Sequence, residues 1–474
     1  RSILFDHDGR IVSSAAEPFE QIYPKPGWVE HNPEEIWRTQ RSTALKAIAQ
    51  AGISPEEIAA IGITNQRETT VVWNRATGKP IYNAIVWQCR RTADFCGTLN
   101  AEGLAEDFRR RTGVVIDAYF SGTKVKWLLD NVAGARELAE RGELCFGTID
   151  SWLLYKLTGQ HATDYSNASR TLMYNIHNLK WDDALLEKLG VPKAMLPDVK
   201  PTSGVFGITK EFGAEIPVAA LVGDQQSALF GQAAFSPRDC KNTYGTGCFV
   251  LMNTGEKPVE SRHGLVTTIA WSLGDKVEYA LEGSVFIGGA VIQWLRDELK
   301  IIETAAESES VALEVPDTGG VHVVPAFVGL GAPYWNMHVR GTITGLTRGS
   351  SRAHIVRAAL ESISFQSADV IKSMESDTGG RIPRLRVDGG AAANNLLMQH
   401  QADILGIPVV RGQVIETTAL GAAFLAGIGV GFWPGKEALT GVWHEDRVFE
   451  PALDDARRAA ALDGWSKAIK MTIS

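Results

Sequence analysis

A carboxylate follows an apolar run near the middle of the chain. Val218–Val222 is strand-like, and Gly223 and Asp224 come directly after it, before a small-residue helix predicted over 227–234. Open α/β sheets bind their ligands beyond the carboxyl ends of the strands. A carboxylate there can accept a proton from an attacking hydroxyl group. Asp224 is therefore a candidate general base, and a helix N-cap is the structural alternative.

A second polar cluster follows another predicted strand. Ala60–Thr64 leads into a run of four hydrogen-bonding residues that ends in Arg67 and Glu68. Each hydroxyl of a polyol both donates and accepts a hydrogen bond, so an adjacent arginine and glutamate match such a ligand. Charges that follow a strand are also common on ordinary surfaces. Trp87 and Tyr119 would add an apolar wall for a carbon chain, or else belong to the core.

Three glycine-bearing turns are candidates for holding a nucleotide. In Asn242–Val250 a strand turns tightly on two glycines, which exposes backbone N–H groups beside the Thr246 hydroxyl. The pairs Gly288-Gly289 and Gly389-Gly390 would let a flat adenosine group approach the backbone. Each pattern also fits a plain structural turn. Because the Gly-x4-Gly-Lys-Ser/Thr pattern is absent, we expect hairpin turns rather than a P-loop to hold any nucleotide phosphate.

A short acidic motif near the start suggests a different enzyme class. Asp6-His7-Asp8-Gly9 looks like the Asp-x-Asp-Gly nucleophile motif of haloacid-dehalogenase-like phosphatases. Arg10 stands where that family usually has Thr or Val, and no downstream acidic motif matches. An acidic turn in a β-hairpin explains the segment without chemistry.

Strands and helices alternate along the chain and must position these residues. Ile3–Phe5 and Ile11–Val12 flank the acidic turn and predict a hairpin. A helix is predicted over 33–50, with Pro33 at its start, and another over 123–131, with Ser121 as N-cap. Further helices are predicted over 291–299, 354–373 and 394–405. This alternation indicates an α/β layer architecture.

Length and composition set the broad class. With 474 residues the chain exceeds the roughly 250 to 300 that one core supports, so two domains are expected. Ser236-Pro237-Arg238 interrupts the pattern, and we predict domains at 1–237 and 238–474. The formal net charge of −8 argues against nucleic acid as a partner. No apolar run approaches the roughly 20 residues of a membrane span, and five cysteines without paired spacing indicate reduced thiols in the cytoplasm.

Several segments, in this order, resemble the FGGY family of carbohydrate kinases, and within it the glycerol kinases most closely. The glycerol-kinase versions of four segments are matched by Gly62–Thr70, Trp87–Thr92, Gly223–Gln226 and Asn242–Gly247. Xylulose kinases differ at the first two. The family's two signature stretches are matched by Tyr119–Trp127 and Gly341–Gly349. The resemblance spans nearly the whole chain.

The resemblance implies a fold and a reaction. The fold is the two-domain α/β architecture of actin, hexokinase and Hsp70, which is ribonuclease H-like and has its ligand cleft between the domains. The N-terminal domain would bind glycerol and the C-terminal domain ATP. The implied reaction is the ATP- and Mg²⁺-dependent phosphorylation of glycerol to glycerol 3-phosphate by in-line transfer, in glycerol catabolism. A cytoplasmic homodimer or homotetramer that binds glycerol and ATP, with no nucleic acid and no membrane insertion, is expected.

The resemblance also implies roles for individual residues. By position, the residues of the glycerol pocket are Arg67, Glu68, Trp87, Tyr119, Asp224, Gln225 and Phe249. The implied ATP contacts are Arg1, Thr246, Gly289, Gln293, Gly390 and Asn394. Asp224 matches the family's catalytic base, near the magnesium ion.

One departure from the family concerns its first strand and turn, which read Asp-x-Gly-Thr-Thr-Ser and supply phosphate contacts and a magnesium-directed carboxylate. This segment is not in the sequence, and Arg1 matches a position just after it. We expect the natural protein to carry it. A non-catalytic, actin-like nucleotide-binding module is the alternative that its absence would favour.

Overall fold

The computed structural model describes all 474 residues, Arg1–Ser474. Its strands are β1 Ser2–Phe5, β2 Ile11–Ala15, β3 Glu30–His31, β4 Ile61–Asn65, β5 Val71–Asn74, β6 Ala84–Ile85, β7 Leu144–Gly147, β8 Ala162–Asp164, β9 Tyr174–Asn175, β10 Lys180–Trp181, β11 Asp198–Lys200, β12 Ser203–Thr209, β13 Ile216–Gly223, β14 Cys240–Tyr244, β15 Cys248–Gly255, β16 Val266–Leu273, β17 Lys276–Val285, β18 His322–Val324, β19 Thr342–Thr344, β20 Leu385–Asp388, β21 Val409–Gly412 and β22 Glu445–Phe449.

Helices occupy much of the remaining chain. The α-helices are α1 Pro33–Ala51, α2 Ala93–Ala101, α3 Ala105–Thr112, α4 Ser121–Asn131, α5 Ala135–Glu140, α6 Ile149–Thr158, α7 Tyr165–Ala168, α8 Asp183–Leu189, α9 Asp224–Gly231, α10 Ala290–Asp297, α11 Glu307–Ala312, α12 Arg352–Thr378, α13 Asn395–Leu405, α14 Thr417–Gly429, α15 Lys436–Leu439 and α16 Asp455–Ile473. Short 3₁₀ turns lie at Pro55–Glu57, Lys193–Met195 and Gly390–Ala393.

A ten-stranded mixed sheet runs through the molecule, in the order β22-β21-β20-β14-β15-β17-β16-β12-β13-β4. Seven of its strands come from the second half of the chain and three from the first. The two groups join at β12 and β16, which pair through the single residue pair Ser203 and Leu273. The predicted α/β class is confirmed, and the large sheet explains why apolar strands recur along the whole sequence.

Most predicted elements are present, with one correction at α4. The hairpin of β1 and β2 and the helices over 33–50 and 354–373 are confirmed, and Asn32 caps α1. The prediction that Ser121 is the N-cap of α4 is wrong, because the helix begins at Ser121 and Phe120 is the cap residue. The Ser121 hydroxyl instead donates to the carbonyl oxygen of Glu68 at 3.0 Å.

The core of the molecule crosses the predicted domain boundary. One apolar cluster contains Ala219 and Leu229 from the first half, Leu251 from β15, and Leu420 and Phe424 from α14. A Cβ added at Gly421 would lie 1.9 Å from the carbonyl oxygen of Ser227, so α14 crosses α9 at very short range. The division at 237 stays a prediction, and residues on both sides of it share this core.

A largely apolar cavity of about 600 Å³ lies between the β1–β2 hairpin and β4, the edge strand of the large sheet. Ile3 and Phe5 line it on one side, and Ile61 and Ile63 on the other. It does not include Arg67, Glu68 or Asp224. The expectation of a further strand preceding Arg1 stays a prediction.

Two findings concern the predictions about membrane spans and cysteines. None of the helices combines the length and the apolar character that crossing a bilayer would require. All five cysteines are buried and unpaired in the structure.

Candidate active site

Two neighbouring parallel strands bring the first candidates together. β4 pairs with β13, with Asn65 opposite Gly223, so the residues that follow each strand meet at one edge of the sheet. Arg67 follows β4 and Asp224 follows β13, and Arg67 Nε lies 3.0 Å from Asp224 Oδ1. Ligands of open α/β sheets bind at such carboxyl ends.

Two arginines and two glutamates form a buried ion network beside Asp224. Arg67 donates from Nη2 to Glu282 Oε1 at 3.0 Å, and its Nη1 bonds to the other oxygen of that carboxylate. Arg170 donates to Glu68 at 2.6 Å and to Glu282 at 3.0 Å. All four side chains are at most 2% exposed. The two positive charges of the network balance its two negative charges in the low-dielectric interior, and Arg170 Nη1 is left without a hydrogen-bond partner.

The network shifts the pKa values of its glutamates in opposite directions. Burial disfavours the ionised form of Glu282, but Arg170 and Arg67 outweigh it and lower the pKa of Glu282 to about 2. For Glu68 burial is the larger effect and raises its pKa, although the same two arginines favour the carboxylate. Glu282 is therefore the permanent anion of the network, and it holds both guanidinium groups in place.

Glu68 also has an unusual backbone conformation. Its φ of 61° lies in the left-handed region, which residues other than glycine seldom adopt. The Glu68 carbonyl oxygen accepts hydrogen bonds from Ser121 and Thr70, and these contacts fix the strained turn. Such strain often marks a functional site.

Three aromatic rings line the same region. The Trp87 ring lies edge-on to Tyr119 at 5.6 Å and to Phe249 at 6.5 Å, measured between ring centroids. All three side chains are half-buried, so each presents part of its surface outward. They form an apolar wall next to Arg67, whose Nη2 lies 3.5 Å from the Tyr119 hydroxyl. Polar and apolar groups are thus arranged as a small polyol requires.

Asp224 is held at one carboxylate oxygen and free at the other. Oδ1 contacts Arg67 Nε and accepts the backbone N–H of Gln225 at 2.8 Å. Oδ2 has no hydrogen-bond partner in the chain, and the side chain is 31% exposed. Gly223, not Asp224, is the N-cap of α9, so the capping alternative is wrong. The free oxygen is available to accept a proton.

The three glycine turns meet one another. The N–H of Gly289 donates to the carbonyl oxygen of Gly245, and the N–H of Gly288 to that of Thr246, both at 2.8 Å. A Cβ added at Gly389 would lie 2.6 Å from the carbonyl oxygen of Tyr244. The turns therefore pack against the tip of the β14–β15 hairpin, where Thr246 is exposed.

The other nucleotide candidates surround this hairpin. A Cβ added at Gly390 would meet no atom within 4 Å. Gln293 on α10 is exposed, whereas Asn394 accepts the N–H of Leu397 and caps α13. Arg1 lies at the periphery and forms an ion pair with Glu416, which immediately precedes α14.

The polyol and nucleotide candidates lie along one hairpin. Phe249 belongs to the aromatic wall and is the second residue of β15, whereas Thr246 lies in the turn that precedes this strand. Contacts within the structure join Arg67 to Glu68 and Asp224, and Trp87 to Phe249.

Sequence reasoning missed three members of the site. Arg170, Glu282 and Lys241 are all buried and bonded to predicted residues. Lys241 is the only charged residue of β14, and a lone charge inside a strand is the signal that the sequence offered. Glu282 shares β17 with Lys276 and Glu278, so no such pattern distinguishes it. Arg170 lies in a loop after α7 and carries no comparable signal.

The acidic motif near the start forms an ordinary turn. The Asp6 carboxylate accepts the backbone N–H groups of Asp8 and Arg10, both at 2.9 Å, and so closes the β1–β2 hairpin. This geometry explains the motif without nucleophilic chemistry.

The chain contains no group of three or more His, Cys, Asp or Glu side chains that could hold a metal ion by itself. Mg²⁺ typically binds one or two carboxylates together with water and substrate phosphates. Asp224, with its partly exposed and unpaired Oδ2, fits that mode of binding.

Comparison with known proteins identifies relatives over the full length. Residues 1–231 match the N-terminal domain model of the FGGY family of carbohydrate kinases, and residues 240–430 match its C-terminal domain model. A glycerol kinase of Caldanaerobacter subterraneus subsp. tengcongensis is 64% identical over 474 residues, which cover 99% of this chain and 95% of that protein.

Solved structures agree with this relationship. The crystal structure of Plasmodium falciparum glycerol kinase with ADP is 38% identical, has a TM-score of 0.94, and is aligned over 100% of this chain and 96% of its own. The xylulose kinase of Lactobacillus acidophilus, at 24% identity and a TM-score of 0.88 over 97% and 92% of the two chains, shares the fold. The chain belongs to the FGGY family of carbohydrate kinases.

Proposed function

We propose that this protein phosphorylates glycerol to glycerol 3-phosphate with ATP. The observation that carries the proposal is the pairing of Asp224 with Arg67 beside Glu68 and an aromatic wall, at one edge of the sheet. Relatives at 60–64% identity over the full chain are glycerol kinases, and the related Plasmodium falciparum structure contains ADP.

The substrate pocket follows from these contacts. Arg67 and Glu68 offer a donor and an acceptor to neighbouring glycerol hydroxyls, with Gln225 adding a further polar group. The carbon chain lies against Trp87, Tyr119 and Phe249.

Asp224 serves as the general base in this proposal. Its Oδ2 accepts the proton of the attacking terminal hydroxyl as the γ-phosphoryl group is transferred in line. The Arg67 contact at Oδ1 fixes the carboxylate, so orientation costs little entropy at the moment of reaction. Positioning supplies most of the rate in phosphoryl transfer.

The nucleotide is held by the second half of the chain. Thr246 and the turns at Gly289 and Gly390 would contact ATP, together with Gln293, Asn394 and Arg1. Asp224 and the phosphates would hold Mg²⁺, which neutralises phosphate charge when bound. The division at 1–237 and 238–474 would separate glycerol-binding and ATP-binding domains. The protein would be cytoplasmic and would form a homodimer or a homotetramer.

Removal of the proposed base tests the function. In Asp224→Asn the side chain keeps its size but cannot accept the proton as a carboxylate does, so kcat should fall about 10²- to 10⁴-fold. Glycerol binding should change little, because Arg67 and Glu68 remain. Glycerol-dependent ADP release measures kcat, and titration calorimetry measures glycerol binding.

The matched control is Asp8→Asn, in the exposed turn of the β1–β2 hairpin, which should keep wild-type turnover. Unchanged kcat in Asp224→Asn would remove Asp224 from the role of base. ATP binding by the wild-type protein without any glycerol-dependent ADP release would favour the non-catalytic, actin-like module instead.

A further inference from the structure

A lysine is buried between the polyol and nucleotide candidates. Lys241 lies on β14 and has no exposed surface. Its Nζ donates to Gln225 Oε1 at 2.6 Å, to Thr243 Oγ1 at 2.8 Å and to the carbonyl oxygen of Phe249 at 3.3 Å. One side chain thus joins the start of α9 to both strands of the hairpin.

The three partners suit the charged form of this group. All three offer oxygen acceptors, and an ammonium group has three N–H donors, one for each of them. A neutral amine has two N–H donors and meets all three partners only when the Thr243 hydroxyl donates to its nitrogen. None of the partners is a carboxylate, so an ordinary salt bridge does not account for the burial of this charge.

The contact also fixes the orientation of Gln225. A lysine can only donate, so Oε1 of the carboxamide must face Nζ and the Nε2 amide group must face away. Gln225 Nε2 has no hydrogen-bond partner in the chain. Gln225 is the neighbour of Asp224 at the beginning of α9, so its free N–H donors point from the same element as the proposed base.

We infer that Lys241 is a positioning residue that sets Gln225 as a hydrogen-bond donor to a substrate hydroxyl and ties that donor to the nucleotide hairpin. This inference rests on the proposed function. It implies that one hydroxyl of the bound substrate accepts a hydrogen bond from Gln225. The pocket should therefore prefer glycerol to analogues that lack this hydroxyl.

The electrostatic surroundings of Lys241 make its contact with Gln225 sensitive to pH. Burial lowers the pKa of Lys241 to about 8, against the opposing influence of Asp388 on β20, Asp224 on α9 and Glu282 on β17. Arg67, which follows β4, acts in the same direction as burial. Above that pH the neutral amine has two N–H donors for three oxygen partners, so Gln225 is held less firmly.

A double-mutant cycle tests the inference on the full chain. Lys241→Met keeps the length of the side chain without its charge, and Gln225→Met removes the carboxamide. We expect Lys241→Met to lower kcat/KM for glycerol roughly tenfold, the worth of one well-placed hydrogen bond, and to reduce the preference for glycerol over 1,2- or 1,3-propanediol. In the Gln225→Met background the same change should have almost no further effect.

The pH profile separates this role from simple packing. For the wild type, KM for glycerol should rise as the pH passes about 8, whereas Lys241→Arg, which keeps its charge, should show no such rise. Two results would overturn the inference and leave the proposed function standing. One is an undiminished effect of Lys241→Met on kcat/KM in the Gln225→Met background. The other is the same dependence of KM on pH in the wild type and in Lys241→Arg. Failure of the wild type both to bind glycerol in calorimetry and to release ADP would overturn the proposed function, and the inference with it.

Discussion

The acidic side chains of the buried network differ in how firmly they are held as anions. Glu282 contacts two guanidinium groups, and its pKa is lowered to about 2 from an ordinary value of 4.5. Glu68 contacts Arg170 closely and Arg67 only at 3.9 Å. Glu282 therefore carries more of the electrostatic stability of the site.

Glu282→Gln should destabilise the fold by about 3 kcal/mol, because it leaves two buried arginines with one compensating glutamate. Urea unfolding at pH 7 measures the change. The control Glu143→Gln alters an exposed pair with Arg141 and should leave the unfolding free energy nearly unchanged. Equal stability of Glu282→Gln and the wild type would contradict the network's role.

The same glutamate predicts an acid dependence. Its pKa is lower in the folded protein than in the unfolded chain, so its contribution is present above about pH 4.5 and is lost as the pH falls towards 2. The unfolding free energy of the wild type should therefore decrease more steeply over this range than that of Glu282→Gln. Parallel curves would exclude Glu282 as the source.

At the scale of elements, the hairpin of β14 and β15 organises the site. Its register sets Lys241 opposite Leu251, which in turn faces Glu282 on β17, so both buried charges lie in one row across three strands. Side chains two residues apart share a face of a strand. Thr243 therefore follows Lys241 on the same face, and the turn at Thr246 comes next.

Gly390→Ala should weaken nucleotide binding without destabilising the fold. A Cβ at this position meets no protein atom within 4 Å, so the unfolding free energy should stay within about 0.5 kcal/mol of the wild type. A methyl group there would obstruct an adenosine that approaches the backbone, and KM for ATP should rise about tenfold with KM for glycerol unchanged.

Gly97→Ala is the matched control, because its added Cβ also meets nothing and lies within α2. This change should gain up to about 1 kcal/mol of stability from helix propensity, with kinetics unaltered. An unchanged KM for ATP in Gly390→Ala would place the nucleotide elsewhere.

At the scale of the whole molecule, α14 joins the two halves. It packs on α9 and β13, which lie nearly two hundred residues before it in the sequence, and on β4, which lies still further back. Phe424 is fully buried in the cluster that these elements share with Leu251. The halves therefore depend on one another for part of their core.

Phe424→Ala should cost about 3–5 kcal/mol, the usual loss for a buried phenylalanine. Because the core is shared, calorimetry should show a single thermal transition that moves to lower temperature as a whole. Separation into two transitions, with only one of them shifted, would show that the halves unfold independently and that α14 belongs to one of them.

The sequence by itself was sufficient to predict the fold class and most of the secondary structure. Periodicity and turn residues predicted the α/β class, the hairpin at the start and the long helices, because these depend on contacts between near neighbours in the chain. Local order also placed Asp224 and Arg67 immediately after strands. Helix caps were less predictable, as at Ser121, whose hydroxyl bonds to a carbonyl 53 residues away.

Only the tertiary structure decided which charges meet. Arg170 and Glu282 lie 112 residues apart in the sequence. No local pattern requires Arg170 and Arg67 to donate to the same carboxylate oxygen of Glu282. The pairing of β4 with β13 and the register of β14, β15 and β17 bring these side chains together. Sheet pairing is non-local, and burial strengthens electrostatic interactions only once the strands have assembled, so the ion network and the Lys241 link are properties of the fold rather than of any segment.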